Sequence, residues 1–211
     1  VKLYHPPLLA NLAPIVSPMV AMSRVIREKL GPDVKIVFIG PCIAKKSESH
    51  EVDEVITFLD LRELFAQLGI SASTSEAAEF DQPTGGRGAI FPVARGLLQT
   101  ANINDDAVTG NIIAAEGRTD FQNALKEFES GLIENQHMEL LCCEGCIMGP
   151  GLSKSGKQYN RRVLVGNYAA AKMKQIDKNN WKEQVERYSS LDLSIRHRPV
   201  EYRPLLPDDE A

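Results

Sequence analysis

The sequence predicts an α/β protein with parallel sheets, on three observations. Short β-branched runs alternate with longer segments of helical periodicity. Start and stop signals bracket several of the helical segments. Two of the runs also lead straight into glycine-bearing loops that hold cysteine, and parallel sheets build their sites just beyond the carboxyl ends of strands.

Ser17-Pro18 opens the first helix, a hydroxyl N-cap followed by proline at the first helical position. Met19, Met22, Val25, Ile26 and Leu30 then recur at helical spacing until Gly31-Pro32 stops it. Residues 34–39 read as a strand running into Gly40-Pro41-Cys42, and 52–57 as a second strand. Asp60 with Glu63 reads as a capping box for a helix through Leu68, closed by Gly69. The polar stretch 71–87 is expected as a loop, and 90–100 as a helix with Pro92 near its start. Residues 112–115 are strand-like, and Asp120 is expected to cap a helix with Phe121, Leu125 and Phe128 on one face. A short strand over 138–141 feeds the cysteine cluster, with helices following over 159–173 and 181–188. The end of the chain, with Pro199, Pro204, Pro207 and Asp208-Asp209-Glu210, reads as a proline-rich linker over 196–211, which leaves 1–195 as the domain. There is no internal repeat.

Composition narrows the classes. A chain of 211 residues holds one large α/β domain or two small lobes, and 43% hydrophobic with 25% charged residues is ordinary globular usage. A net charge of −4 leaves no basic surplus for a nucleic-acid partner. No apolar run approaches the roughly 20 residues of a membrane span, and no signal peptide is recognisable, so a cytoplasmic location is expected. The start at Val1 reads as an excerpt of a longer chain.

Four cysteines are too sparse for a disulfide-stapled scaffold. Cys142, Cys143 and Cys146 cluster, whereas Cys42 stands far upstream. Thiolates are soft ligands that suit iron–sulfur clusters and zinc. Cys142 and Cys146 are spaced more widely than a Cys-x-x-Cys zinc knuckle, and Gly145, Gly149 and Gly151 let the backbone approach a bulky centre. On the residues alone three readings stay open: iron–sulfur, zinc, and a glycine-rich turn holding inert thiols. Lys45, three residues after Cys42, is either an ammonium beside an anionic centre or half of a solvated Lys-Lys pair.

Pro41-Cys42-Ile43-Ala44-Lys45-Lys46-Ser47-Glu48 resembles the Pro-Cys-x-x-Lys-Lys-x-Glu motif of the iron-only hydrogenases. Cys142-x-x-x-Cys146 with Gly149 and Gly151 resembles the second cysteine motif of that family. The segment Asn11-Leu12-Ala13-Pro14-Ile15-Val16-Ser17-Pro18 is similar to the stretch after its first cysteine motif, and residues 53–64 fit the stretch after its lysine motif. The resemblance covers residues 4–173. It implies two lobes, each with a mostly parallel four-stranded sheet flanked by helices, and a 4Fe-4S cluster in the cleft between them. Of the four cysteine ligands, three match Cys42, Cys142 and Cys146. The residue matching Cys146 also bridges to the di-iron subsite of the H-cluster in active members, Lys45 matches the lysine that binds a cyanide there, and Glu48 matches the acidic residue of the same motif. Lys45 and Glu48 are therefore the catalytic candidates.

Departures from the pattern point away from turnover. The first cysteine motif would precede Val1. Ala13 stands where active enzymes carry a proton-relay serine, Gly40 and Leu140 where methionines line the di-iron site, and Cys143 where the family has proline. The helix start that usually carries a Met-Glu pair reads Ala89-Ile90-Phe91-Pro92. These features resemble the sensory, hydrogenase-like branch. They imply redox or hydrogen sensing or electron transfer, with an electron-transfer iron–sulfur module or ferredoxin and downstream signalling domains as partners. The alternatives are an active ferredoxin-type iron hydrogenase and a non-catalytic α/β module with zinc or free thiols. His5, His50, His137 and His197 are scattered and read as surface or capping residues. Thr84-Gly85-Gly86-Arg87-Gly88 lacks the ending of a P-loop. Arg161-Arg162 and Lys172-Met173-Lys174 read as a solvated helix face, and Tyr168 and Trp181 as core or partner-packing residues.

Overall fold

The computed structural model describes residues 1–103, 108, 110–134 and 136–200, so the predicted linker beyond residue 200 lies outside the described residues. Helix α1 spans Pro18–Leu30 and turns Met19, Val20 and Ser23 inward. Met22 and Leu30, expected on the apolar face, are exposed by 41% and 64%. The buried stripe is displaced because Ser23 is small and folds its hydroxyl back onto the Val20 carbonyl at 2.8 Å, which satisfies it in the interior. Met19 and Val20 join Val16, Ile36 and Val52 in the core, with Phe38, Val55 and Leu193 packed around them.

Strand β1 (Val37–Gly40) pairs in parallel with β2 (Glu54–Thr57), from Val37↔Glu54 to Gly40↔Thr57. The pairing starts later than the sequence pattern because Asp53 intervenes. Its carboxylate accepts the Ile36 amide at 2.9 Å, while the Ile36 carbonyl accepts from Asp53 and Glu54. Helix α2 (Phe58–Gln67) follows without a loop. Its capping box is Thr57 with Asp60 rather than Asp60 with Glu63: the Asp60 amide donates to the Thr57 hydroxyl at 3.2 Å, and the Thr57 amide to the Asp60 carboxylate at 2.7 Å.

The single helix expected over 90–100 is instead a 3-10 turn at Gly86–Ile90 and a short helix α3 at Gly96–Thr100. Pro92 lies in the gap, and a proline restricts the residue before it and donates no amide to a continuing helix. Strand β3 (Ile112–Glu116) pairs in parallel with β4 (His137–Leu141), and α4 (Asp120–Glu129) crosses between them with Leu125 buried. The N-cap of α4 is Thr119, with Asp120 its first residue. Helices α5 (Gln158–Gln175) and α6 (Lys178–Tyr188) close the order, and Asp177 caps α6 by accepting from Asn179 and Asn180.

The expectation of two lobes with four-stranded sheets is not met. Among the described residues there are two separate parallel pairs, β1–β2 and β3–β4. β3 and β4 are joined through α4, β1 and β2 only through a loop with a 3-10 turn at Ile43–Ser47, and the long polar stretch after α2 supplies no further strand to either. The only other β contact among the described residues is the Ile15↔Ser194 bridge. There the segment before α1 is bound to the one after α6, Val16 donating to Leu193 at 2.9 Å and Ile195 to Pro14 at 3.1 Å. Among the described residues no helix is long and apolar enough to cross a membrane.

Candidate metal centre

Both cysteine loops leave the carboxyl ends of strands. Cys42 follows β1 by one proline and is the N-cap of a 3-10 turn at Ile43–Ser47. Cys142 follows β4 directly, and Cys146 begins a 3-10 turn at Cys146–Met148. The loops are tied to each other: the Gly151 amide donates to the Pro41 carbonyl at 2.9 Å, and the Leu59 amide of α2 donates to the Gly151 carbonyl at 3.1 Å. Nothing larger than glycine fits at this seam. A β-carbon at Gly149 would stand 2.5 Å from the Pro41 oxygen, and one at Gly151 would stand 2.7 Å from the Thr57 β-carbon. A third strut comes from the Ile147 amide, which donates to the Pro92 carbonyl at 3.2 Å.

Cys42, Cys143 and Cys146 are half-buried, and Cys142 is exposed. Burial, and then the neighbouring thiols of Cys42 and Cys143, push the Cys146 thiol above its ordinary range, against the pull of the Lys45 ammonium. Burial followed by Cys142 and Cys42 raises Cys143 in the same way, with Arg118 opposing. Thiols from both loops therefore share one electrostatic neighbourhood. Among the described residues, however, no three His, Cys, Asp or Glu side chains stand close enough together to hold a single metal ion. The donor chemistry, soft thiols in glycine-rich loops, fits an iron–sulfur cluster.

The Lys45 ammonium is held by the Glu48 carboxylate, which also accepts the Ser17 hydroxyl. This places Ser17, the N-cap of α1, in the Cys42 loop's polar network instead of on its own helix end. Lys46 pairs with Asp60 at 3.0 Å, so the loop is also fastened to the start of α2. The backbone hydrogen bond of Asp60 to Thr57, then Lys46, hold its carboxyl down to about 2.

Two features were not legible beforehand. Arg161 of α5, expected on a solvated face, is half-buried and clamps the far side of the second cysteine loop. Its guanidinium donates to the Ile147 carbonyl at 2.7 Å and to the Ser153 carbonyl. Only the fold brings α5 back onto this loop, and no motif announces it. The second is Cys143, which the structure brings into the neighbourhood of Cys42 while its neighbour Cys142 faces solvent. The adjacent pair Cys142-Cys143 was the available signal.

The residues that depart from the hydrogenase pattern have local consequences. At Gly40 a β-carbon would stand 2.6 Å from the Phe38 ring, so the phenyl group fills the space beside that position. The Ala13 carbonyl is bonded to the His197 ring at 2.9 Å. His137 opens β4 and is exposed. Beyond the sheet lies a cavity of about 140 Å³ lined in part by Arg95, Glu116 and Glu139, in which Glu116 Oε2 has no hydrogen-bond partner among the described residues.

Against known proteins, residues 1–150 match the family described as iron only hydrogenase large subunit, C-terminal domain. Three similar solved structures are each 16% identical and cover 92% of this chain and 69% of their own. One concerns oxygen inactivation of an FeFe-hydrogenase through modification and degradation of the H-cluster 2Fe subcluster, with a TM-score of 0.63. Another concerns stepwise H-cluster assembly in an FeFe-hydrogenase, with a TM-score of 0.65. The third is an FeFe-hydrogenase variant from Chlamydomonas reinhardtii, also at 0.65. At that identity the likeness is one of fold. No curated protein matches the chain. Helices α5 and α6, and with them Arg161, lie beyond the matched residues.

Proposed function

The chain belongs to the family of C-terminal domains from the large subunits of iron-only hydrogenases, and from that membership we propose that it holds a 4Fe-4S cluster where its two cysteine loops meet and uses it for redox or hydrogen sensing and electron transfer. Cys42, Cys142 and Cys146 are the ligands. The observation that carries this reading is the seam itself: the Gly151–Pro41 hydrogen bond joins loops from two different sheets, and Cys42 of one loop lies within electrostatic reach of Cys146 of the other. A positively charged centre bound there would favour the thiolate form of Cys146 that burial and the neighbouring thiols disfavour. The cysteine spacing of Cys142 and Cys146, wider than a Cys-x-x-Cys zinc knuckle, supports a cluster over zinc.

When bound, such a cluster supplies one-electron exchange. The surrounding residues set its conditions. Lys45 offsets the negative charge of the thiolates, Glu48 fixes the position of that ammonium, and Ser17 fixes Glu48. Arg161 immobilises the backbone after Cys146 by binding the Ile147 carbonyl. Ala13 offers no hydroxyl for proton transfer, which favours sensing or electron transfer over hydrogen turnover. A ferredoxin-like iron–sulfur module and downstream signalling domains of a cytoplasmic protein are the partners that suit this role.

The test is anaerobic reconstitution of the full-length protein, with iron and sulfide analysis followed by infrared spectroscopy. About four irons with matching sulfide are expected for the cluster. Carbonyl and cyanide bands after co-expression with maturation proteins would add the di-iron subsite. Zinc in place of iron would overturn the cluster.

A further inference from the structure

On the face formed by the end of α5, the start of α6 and residues 79–86 lies a cavity of about 780 Å³, within the roughly 300–1,000 Å³ of small-molecule sites. It shares no residue with the cysteine loops. Three aromatic residues line it, one from each segment: Phe80, Tyr168 and Trp181. Among its charged residues are the carboxylates of Glu79, Asp81 and Asp177 and a single ammonium, that of Lys172, so acid exceeds base by two.

An ammonium is already accommodated here. Lys172 Nζ stands 5.9 Å from the centroid of the Tyr168 ring and is paired with Glu79. A ring face with an acid beside it is the arrangement that recognises alkylammonium groups. Lys172 uses one such set, Tyr168 with Glu79, and two further aromatic rings, Phe80 and Trp181, line the same cavity with the Asp81 carboxylate. Gly86, which lines the cavity, has φ +50° and is buried, and a β-carbon there would stand 3.0 Å from Ile176 Cδ1, with the Trp181 ring at a contact distance of 3.4 Å.

We propose that this cavity binds an organic cation bearing a methylated or primary ammonium, whose charged head is held by Phe80, Trp181 and Asp81. The ring faces attract the cation electrostatically, and the acid excess raises its local concentration. Asp177 adds to that field from a fixed position, because its carboxylate accepts the Asn179 and Asn180 amides at the start of α6.

Calorimetric titration of the full-length protein with choline tests this, with 3,3-dimethyl-1-butanol as the uncharged analogue of the same shape. Choline should bind saturably, and the neutral analogue about tenfold or more weakly. Phe80 is 79% exposed, so Phe80→Ala leaves the core intact, and it and Asp81→Asn should each weaken choline severalfold without changing iron content. Trp181→Phe, which leaves a ring of weaker cation attraction, should also weaken choline in the same titration. Phosphatidylcholine vesicles distinguish a lipid headgroup from a free cation as the source. Equal binding of the neutral analogue, no saturable choline binding, or binding indifferent to both loop variants would overturn the proposal.

Discussion

The amide of Gly151 donates to the carbonyl of Pro41 at 2.9 Å, and that contact joins the loop after β4 to the loop after β1. It depends on the absence of a side chain, since a β-carbon at 151 would stand 2.8 Å from the same carbonyl oxygen and 2.7 Å from Thr57 Cβ. Both neighbours are rigid, one backbone and one branched at its own β-carbon. Gly151→Ala should therefore part the loops and lower iron affinity by about 10- to 100-fold, the range seen when outer-shell supports of metal ligands are removed. Iron per chain after desalting measures it, and a variant that keeps full iron would show that the seam does not position the thiols.

Within the cluster of thiols the roles are separable. Cys146→Ala should abolish iron retention, since Cys146 interacts with Cys42, Cys143 and Lys45 together. Cys142→Ala should also lose iron and Cys143→Ala should keep it, on the family pattern. The folded chain turns Cys143 inward and leaves Cys142 exposed, so the reverse order of losses would assign the ligand to Cys143. Parallel iron and sulfide assays on the three variants decide it.

What the sequence made legible was local. The start of α1 at Pro18, the strands β1 to β4 and the positions of both cysteine loops follow from contiguous residues whose propensities agree. What it hid was set by partners distant in sequence. Ser17 reads as a capping hydroxyl, yet its proton goes to Glu48, 31 residues away. Met22 and Leu30 share a helical stripe with Met19, but which of two overlapping stripes faces inward was decided by the small, self-satisfied Ser23. Asp60 found its capping partner in Thr57 because β2 runs straight into α2, leaving Thr57 extended at the helix entrance. Sheet size failed for the same reason: the number of strands in a sheet is a property of what pairs, and a run such as 34–39 does not carry it.

The displaced stripe has a measurable consequence. Met19 is 5% exposed at the centre of the core cluster between α1 and the β1–β2 pair. Met19→Ala removes that packing and leaves a cavity, and should cost about 2–5 kcal/mol in urea unfolding. Met22→Ala, at 41% exposure, should cost well under half as much. Equal losses would restore the stripe read from periodicity.

Stability should also carry an acid limb from the start of α2. The Asp60 carboxyl is lowered from 3.8 to about 2 by hydrogen bonds to the Thr57 backbone, then Lys46, then the Thr57 side chain. A carboxyl depressed in the folded state contributes stability that is complete above its unfolded value and fades as the pH falls through the folded one. The contribution is thus full above about pH 4 and lost toward pH 2. Asp60→Asn should melt lower than the parent at pH 7, and the gap should close between about pH 4 and 2, as followed by calorimetry across that window.

Lys45 tests whether the polar network beside the thiols is electrostatic or merely structural. Its ammonium pulls on Cys146 and is itself held by Glu48, with side-chain exposures of 21% and 31%, so solvent screens neither fully. Lys45→Met removes a positive charge from beside the centre, which favours the less reduced state and should move the midpoint potential negative by tens of millivolts. Glu48→Gln removes the opposing negative charge and should move it positive. Both variants should retain iron, because neither residue is a ligand. Opposite signs in the two titrations identify a charge effect, whereas shifts in the same direction would mean that both substitutions act by disturbing the loop.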